Sequence, residues 1–407
     1  PTAHQAHHEN LFVSWDEITT PFKIKKHAGH PLMSWWSLIE KLWKAVSDSQ
    51  LSDSMKDLVA NFIGKFSSAS GKSPCYNIGF FGPSRIGKTT LTASMVEEFK
   101  LFSRKISQSG GSYLKLSSQD QPTMVRLSDR INDLKSGIQK GEFATGTLTG
   151  TSTHEVFNLR FEEGKEKSFQ QDFALHDFPG GWINDPKRIT ELNLKSWDVI
   201  ILPIDAAVVM ESIEIRRKKA ARNSLCIDQV ESFITDWVQT RDSLPSLCIL
   251  APVKCETYFT TPRISAILSD KSQQLYNRIV NEYYKEVIDI IRGACNIDCL
   301  YMPVNTVGCC YLKRPTWTEE GDLEGVYAIS PEPGMDKWKP YGPSYIMLEV
   351  CLFIAGQLRR LPNADANDKI ASFLQATADL EKVMHNPECT APVKPYDRKV
   401  ILQKGMY

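Results

Sequence analysis

Residues 78–90 read Ile-Gly-Phe-Phe-Gly-Pro-Ser-Arg-Ile-Gly-Lys-Thr-Thr. Positions 82–89 match the pattern G-x-x-x-x-G-K-[ST], which binds phosphate when it follows a strand and opens a helix. The run Tyr76–Phe81 before it predicts a short buried strand, and Leu91–Phe102 after it carries apolar residues at helical spacing. The stretch therefore predicts an α/β fold with a phosphate-binding loop.

The chemistry of this loop follows from its residue types. Glycines let backbone N–H groups crowd around phosphate oxygens, and the N-terminus of the following helix adds partial positive charge. Lys88 would reach the β- and γ-phosphates, and the Thr89 hydroxyl would ligate Mg²⁺. The predicted nucleotide-binding residues of the loop are Gly82, Pro83, Ser84, Arg85, Ile86, Gly87, Lys88, Thr89 and Thr90.

The bulk composition is that of an ordinary globular chain. It has 407 residues with a formal net charge of zero, and 42% of them are hydrophobic, enough for a substantial core. A neutral chain gives no global sign of nucleic acid as a partner. The ten cysteines lack disulfide or zinc-finger spacing, and the apolar runs are too short or too interrupted to span a membrane. We therefore expect a cytoplasmic protein without a transmembrane span.

The chain divides into three predicted parts. Residues 1–72 predict an N-terminal helical appendage with an aromatic-rich apolar stripe, which would pack on the main domain or face a membrane or a partner. The main domain is expected over 73–361, with an insert at about 103–144. Residues 362–407 predict a C-terminal helix and a tail.

Beyond the loop, strand-like and helix-like runs alternate, which predicts a mostly parallel central sheet. The predicted strands are Val156–Phe161, Phe169–His176, Trp197–Val208, Leu247–Val253 and Leu300–Val304. The predicted helices are Met124–Gln139, Ser224–Arg241, Ser272–Ala294, Tyr345–Arg360 and Asp368–His385. The polar run Glu162–Ser168 is a short turn, so the first two of these strands must form one antiparallel hairpin.

The hairpin leads into Asp177-Phe178-Pro179-Gly180. Asp177 would hold Mg²⁺ through water, and the N–H of Gly180 would face the γ-phosphate. A plain β-turn accounts for the same four residues when they are taken alone. Their position after the hairpin and downstream of the loop favours the metal-binding interpretation.

A threonine-rich segment, Thr145–Thr153, precedes the hairpin. A mobile switch loop at this place would supply one threonine to Mg²⁺ and the γ-phosphate. The candidates are Thr147, Thr151 and Thr153, of which Thr153 leads because it stands nearest the strand. A polar loop without this role is the alternative.

Two segments that follow later strands are candidates for binding the base. Val253-Lys254-Cys255-Glu256 resembles the Asn-Lys-x-Asp motif of GTPases, in which the lysine stem lies on the base and the carboxylate accepts hydrogen bonds from guanine. Lys254 and Glu256 fit this pattern, whereas Val253 cannot replace the asparagine. Asn305 would belong to a second base-binding loop.

Two further positions bear on hydrolysis. Arg85 would swing onto the β- and γ-phosphates as an arginine finger supplied by the same chain, or it is a solvated loop residue. Gly181 stands where many small GTPases carry the glutamine that orients the attacking water. The missing side chain puts intrinsic hydrolysis in doubt.

Over roughly residues 76–310, the chain resembles a P-loop GTPase of the translation-factor-related (TRAFAC) class. Its phosphate-binding loop is similar to that of guanylate-binding proteins and atlastins, and to that of bacterial double-GTPase proteins from defence and conflict loci. The resemblance implies a G-domain that binds GTP or GDP with Mg²⁺ and hydrolyses GTP. It also implies Lys88, Arg85 and Thr153 as catalytic residues, and a homodimer or protein partner on the G-domain face.

Two other functions stay open. One is a P-loop ATPase or kinase that uses the same loop. The other is a slow nucleotide-binding scaffold in a defence or signalling complex, which the missing glutamine favours.

Overall fold

The chain divides into two units, 1–74 and 75–407, and the computed structural model describes parts of the second. The predicted N-terminal appendage lies outside the described residues. The described ranges are 75–108, 113–139, 142–144, 152–164, 169–241, 244–259, 271–329, 338–360, 368–385 and 399–405.

An eight-stranded mixed sheet organises the second unit. In chain order the strands of the unit are β1 (Cys75–Phe80), β2 (Leu114–Ser118), β3 (Glu142–Ala144), β4 (Glu155–Glu163), β5 (Gln170–Asp177), β6 (Trp197–Asp205), β7 (Ser246–Val253), β8 (Ile297–Tyr301), β9 (Cys310–Trp317), β10 (Leu323–Ile329) and β11 (Val400–Gln403). The large sheet has the order β11-β8-β7-β6-β1-β5-β4-β2, and β3-β10-β9 form a separate antiparallel sheet. The five strands from β8 to β5 are mutually parallel, whereas β11, β4 and β2 run antiparallel to their neighbours.

Ten α-helices connect or cover these strands in the described part of the chain. They are α1 (Lys88–Gln108), α2 (Gln121–Gln139), α3 (Pro186–Glu191), α4 (Ala206–Met210), α5 (Ile215–Ser224), α6 (Ile227–Arg241), α7 (Ser272–Arg278), α8 (Lys285–Arg292), α9 (Pro343–Arg359) and α10 (Asp368–His385). Helix α1 contacts α2, α9 and α10, while α6 contacts α8. Within the described ranges, no helix combines the length and the apolar composition that a membrane span requires.

The core lies around the central strands, since every residue of β6 and β7 is buried. Ile200, Leu202 and Ile204 share one hydrophobic cluster with residues of α6 and α8. Because side chains alternate along a strand, the residues between them face the opposite side of the sheet. Burial on both faces explains why these strands read as continuous apolar runs.

The α/β class, the mostly parallel sheet and the antiparallel hairpin of β4 and β5 are confirmed. The predicted strand Trp197–Val208 is too long, because the Asp205 carboxylate accepts hydrogen bonds from the N–H groups of Ala207 and Val208 and thereby caps α4. The predicted helix Ser272–Ala294 is interrupted by a π-helical turn at Ile279–Tyr283.

The small sheet and β11 were not predicted. Strand β11 pairs with β8 at the edge of the large sheet, so part of the predicted C-terminal tail is a strand of the main unit. The predicted insert contributes β2 to the large sheet and β3 to the small one.

Candidate functional site

The candidate site lies where the chain leaves β1. Strand β1 stands between β5 and β6, which follow it in sequence but lie on opposite sides of it. Such a reversal opens a crevice at the carboxyl ends of parallel strands, the usual ligand position in an open α/β sheet. The loop from Phe81 to Gly87 occupies this place and leads directly into α1.

The loop needs left-handed backbone at two positions. Gly87 has φ of 105°, which a side chain would strain, and Arg85 adopts φ of 62°. A non-glycine residue in this region costs about 1 kcal/mol or more and persists where the surroundings impose it. The backbone of Arg85 is therefore fixed, while its side chain is exposed and has no partner among the described residues.

Lys88 is held against the loop that precedes it. Its Nζ donates hydrogen bonds of 2.8 Å to the carbonyl oxygens of Gly82 and Pro83. The side chain is buried, and the desolvation of its ammonium group lowers its pKa to about 8, although the nearby Asp177 carboxylate opposes this shift. The geometry therefore holds a buried ammonium group against two loop carbonyls, near the Asp177 carboxylate.

Thr89 and Asp177 meet beneath the loop, although they are distant in sequence. Thr89 Oγ1 donates to Asp177 Oδ2 at 2.7 Å. The Asp177 carboxyl is fully buried, and its Oδ1 has no hydrogen-bond partner in the described part of the chain. Burial raises the pKa of Asp177 to about 6, and the Thr89 hydrogen bond and Lys88 oppose the rise.

These oxygens fit a magnesium ion. Mg²⁺ prefers hard oxygen ligands and is commonly held by one or two carboxylates together with substrate phosphates. Thr89 supplies a hydroxyl and Asp177 a carboxylate whose Oδ1 still needs a partner. The described residues contain no group of three or more His, Cys, Asp or Glu side chains that could hold a metal by themselves.

The turn after β5 packs directly on the loop. A Cβ added to Gly180 would lie 2.1 Å from the Ser84 nitrogen and 2.3 Å from its Cα. Real Cβ contacts are never this short, so only glycine fits. An added Cβ at Gly181 would have no neighbour within 4 Å in the described structure, so a larger side chain is sterically possible there.

Lys254 connects the ends of β6 and β7 to the loop. It adopts left-handed backbone with φ of 59° immediately after β7. Its Nζ forms an ion pair with the Asp205 carboxylate at the end of β6 and donates to the carbonyl oxygen of Arg85 at 3.3 Å. The lysine thus links the loop backbone to the ends of β6 and β7.

Glu256 contacts the loop that carries Asn305, and it does so through hydrogen bonds to the backbone of that loop. Glu256 Oε1 accepts hydrogen bonds from the N–H groups of Val307 at 2.7 Å and Gly308 at 3.1 Å. Desolvation raises the pKa of this buried carboxyl, and the two N–H donors oppose the rise. Asn305 is also buried, and its Oδ1 has no partner among the residues described. Glu256 therefore shapes the loop that carries Asn305.

The structure describes one of the three predicted switch threonines. Thr147 and Thr151 lie outside the described residues. Thr153 is exposed and precedes β4 by two positions. Because Glu155 of β4 is paired with Asp177 of β5, Thr153 stands at the sheet edge to which Asp177 belongs.

Several residues of this edge were not recognised from the sequence. Arg130 of α2 approaches Glu155 Oε1 with its Nη2 at 3.3 Å. His154 and His176 form a hydrogen bond of 3.0 Å between Nε2 and Nδ1. A polar residue on an alternating strand looks solvent-exposed in sequence. Only the register of β4 against β5 places Glu155 opposite Asp177, whereas His176, one residue earlier on β5, faces the other side of the sheet.

The Asn77 amide sets the proton positions in the histidine pair. Asn77 Nδ2 donates to the carbonyl oxygen of Ser196, so its Oδ1 faces His176 Nε2 at 3.1 Å. His176 Nε2 must therefore carry a proton, and its Nδ1 accepts from His154 Nε2. The His154 ring stacks on Phe178, the residue after Asp177, with ring centroids 4.5 Å apart.

No protein-family model and no curated protein sequence matches this chain. A cavity of about 590 Å³ elsewhere in the unit is lined by Lys218, Lys271, Arg278 and Glu282 among others, and it contains none of the loop residues.

Proposed function

We propose that this protein binds GTP with Mg²⁺ and hydrolyses it, as a switch or assembly protein. The observation that carries the proposal is the hydrogen bond between Thr89 and Asp177 beneath the Gly82–Thr89 loop. It joins the hydroxyl and the carboxylate that a phosphate-binding loop uses around Mg²⁺. The position of β5 directly beside β1 supports the same proposal, since it brings Asp177 to the start of α1.

Each residue has a proposed task in this reaction. Lys88 would leave its two carbonyl partners and neutralise phosphate charge, and the N–H groups of the loop would hold the phosphate oxygens. When bound, Mg²⁺ would offset the charge on the β- and γ-phosphates. Thr153 would approach the same centre from the start of β4, and Gly180 would present its backbone N–H.

Guanine is the proposed base, with Lys254 as its main support. Lys254 lies beside the loop and donates a hydrogen bond to the Arg85 carbonyl oxygen. A lysine that lies between a phosphate-binding loop and a bound base would make such a contact. Glu256 would recognise guanine directly only by giving up its contacts with Val307 and Gly308. Because Glu256 already accepts hydrogen bonds from Val307 and Gly308, the structure also leaves room for an alternative function, a P-loop enzyme that accepts ATP as well.

Competition binding tests the choice of base. GTP and ATP would each displace a fluorescent GTP analogue from the purified protein in the presence of Mg²⁺. The proposal expects GTP to compete at least about tenfold better, because adenine would leave the acceptor that binds guanine without a donor, at a cost of roughly 1–3 kcal/mol. Equal displacement by ATP would contradict the guanine assignment.

Two variants of Glu256 show how the base is recognised. Glu256→Gln keeps an oxygen for the Val307 and Gly308 donors but removes the negative charge, whereas Glu256→Ala removes both. If the carboxylate contacts guanine, both variants lose the preference for GTP. If Glu256 acts by shaping the 305–308 loop, the glutamine variant keeps the preference and only the alanine variant loses it.

Partners and location are also proposals. The exposed Arg85 side chain would need an opposing surface to hold it on the phosphates, which favours a homodimer or an activating protein on this face. A cytoplasmic location is expected because this compartment supplies GTP and Mg²⁺.

A further inference from the structure

A second carboxylate lies directly opposite Asp177. Glu155 of β4 is the antiparallel partner of Asp177 on β5. Residues paired in this way project from the same face of the sheet, with Cβ atoms about 5 Å apart. Like charges at this separation repel one another.

Each of the two carboxyl groups has one buried oxygen that accepts no hydrogen bond from the described residues. Asp177 Oδ1 and Glu155 Oε2 are each inaccessible to solvent and without a hydrogen-bond partner in the described chain. Two acceptors that are buried, adjacent and unpaired are unfavourable unless a donor or a cation joins them. Because Asp177 is wholly buried, its free oxygen marks a position for a ligand rather than for bulk water.

Helix α2 holds Glu155 in this orientation. Arg130 contacts only Oε1 of Glu155, at 3.3 Å, so the other oxygen stays available. One turn earlier, Arg126 Nη2 donates to the carbonyl oxygen of Val156 at 2.6 Å. Two arginines of one helix thus fix the first residues of β4. Arg130 and Lys88 are the cations near the two carboxylates, and neither hydrogen-bonds Glu155 Oε2 or Asp177 Oδ1.

We propose that Glu155 is a second carboxylate of the Mg²⁺ site, acting beside Asp177 and Thr89 and positioned by Arg130. The inference rests on the proposed nucleotide-binding function and adds a metal-site residue to it. A divalent cation near both free oxygens would relieve the repulsion between the carboxylates and satisfy both acceptors. A purely structural ion pair with Arg130 would not explain why Glu155 Oε2 is left unpaired.

The test measures how nucleotide affinity depends on Mg²⁺. A fluorescent GTP analogue is titrated into wild-type protein and into Glu155→Gln, at a series of Mg²⁺ concentrations and in excess chelator. We expect the apparent Mg²⁺ affinity of Glu155→Gln to fall about tenfold, while affinity in chelator is unchanged or stronger. A merely structural residue would change the thermal stability of the free protein but not the Mg²⁺ dependence.

Glu162→Gln is the matched control. Glu162 lies on the same strand, at its other end, and pairs with Lys115 at 3.7 Å. Its variant should keep the wild-type Mg²⁺ dependence. If Glu155→Gln does not fold, Glu155→Asp keeps the charge and withdraws the carboxylate by one methylene, with the same expected direction of change.

The outcomes separate the two proposals. If wild-type protein binds the nucleotide in a Mg²⁺-dependent way and folded Glu155 variants show the same dependence, this inference is overturned and the proposed function stands. If wild-type protein binds no nucleotide at any Mg²⁺ concentration, both fall together.

Discussion

At the scale of single residues, two adjacent glycines have opposite steric surroundings. Gly180 touches the Ser84 backbone of the loop, whereas Gly181 has open space around it. The contact makes the turn after β5 a support for the loop. The two glycines also offer a matched pair of substitutions, because Gly180→Ala and Gly181→Ala each add one methyl group at adjacent positions.

Gly180→Ala should therefore displace the loop. We expect its nucleotide affinity to fall at least about tenfold, and its stability by roughly 1–3 kcal/mol, the usual cost of overpacking a buried contact. Gly181→Ala should leave both within experimental error. Calorimetric titration with GTP and chemical unfolding measure the two quantities. Equal behaviour of the two variants would show that the Gly180 contact does not position the loop.

At the scale of secondary-structure elements, the start of β4 is fastened to the end of β5 by the histidine pair. Burial lowers the pKa of His176 to about 3, and His154 also has a lowered pKa because of desolvation. Between these folded-state values and the ordinary histidine pKa near 6.5, the unfolded chain binds more protons than the folded one. The histidines therefore stabilise the fold above about pH 6.5, and this contribution is lost as the pH falls.

His176→Gln tests this pH dependence. The wild-type protein should lose more unfolding free energy between pH 7 and pH 5 than the variant, by on the order of 1 kcal/mol. The loss in the variant is subtracted from the loss in the wild type because other groups also titrate in this range. Burial raises the pKa values of Asp177 and Glu98 to about 6 and 7, so these two carboxyls increase stability as the pH falls, opposite to the histidines. Urea unfolding at the two pH values provides the measurement. Parallel losses in both proteins would rule out a contribution from His176.

Local signals explain which elements could be predicted from the sequence. The loop at Gly82–Thr89 and the hairpin of β4 and β5 each depend on residues close together in the chain. The small sheet joins β3 to β10, which lie far apart in sequence, and β11 is a short edge strand that pairs with the distant β8. Such pairings depend on tertiary contacts that periodicity does not contain.

The same distinction applies to the candidate site. Lys88, Thr89 and Asp177 belong to short motifs, and the structure brings them together. Glu155 has no motif, since only its register against β5 places it beside Asp177. Glu256 was predicted from a motif, yet its contacts with the 305–308 loop depend on chain geometry beyond the motif.

At the scale of the whole molecule, the exposed Arg85 side chain is the feature that would link catalysis to assembly. With glycine at position 181, no glutamine could orient an attacking water there in the proposed hydrolysis, and the exposed Arg85 is a cation of the loop that a second surface can reach. A flexible guanidinium needs such a surface to stay on the phosphates. We therefore expect turnover per molecule to rise with protein concentration or with an activating partner.

Arg85→Ala should lower kcat at least about tenfold, roughly 1.4 kcal/mol, while GTP still binds. Arg85→Gly is the companion variant, because glycine adopts the left-handed backbone of this position without strain. Phosphate release measures turnover, and titration of the same proteins measures binding. Wild-type kcat in both variants would show that Arg85 is a solvated loop residue.

We propose that Gly82–Thr89 binds nucleotide, and this claim is tested by the affinity of Lys88→Ala for GTP. The control is Lys105→Ala, which removes an exposed lysine from the same helix. In the presence of Mg²⁺, wild-type protein and Lys105→Ala should bind GTP equally well. Folded Lys88→Ala should bind about a hundredfold more weakly or not at all, since a charged contact to phosphate contributes roughly 3 kcal/mol. Equal GTP affinity in all three proteins, or no binding by wild-type protein, would contradict the claim.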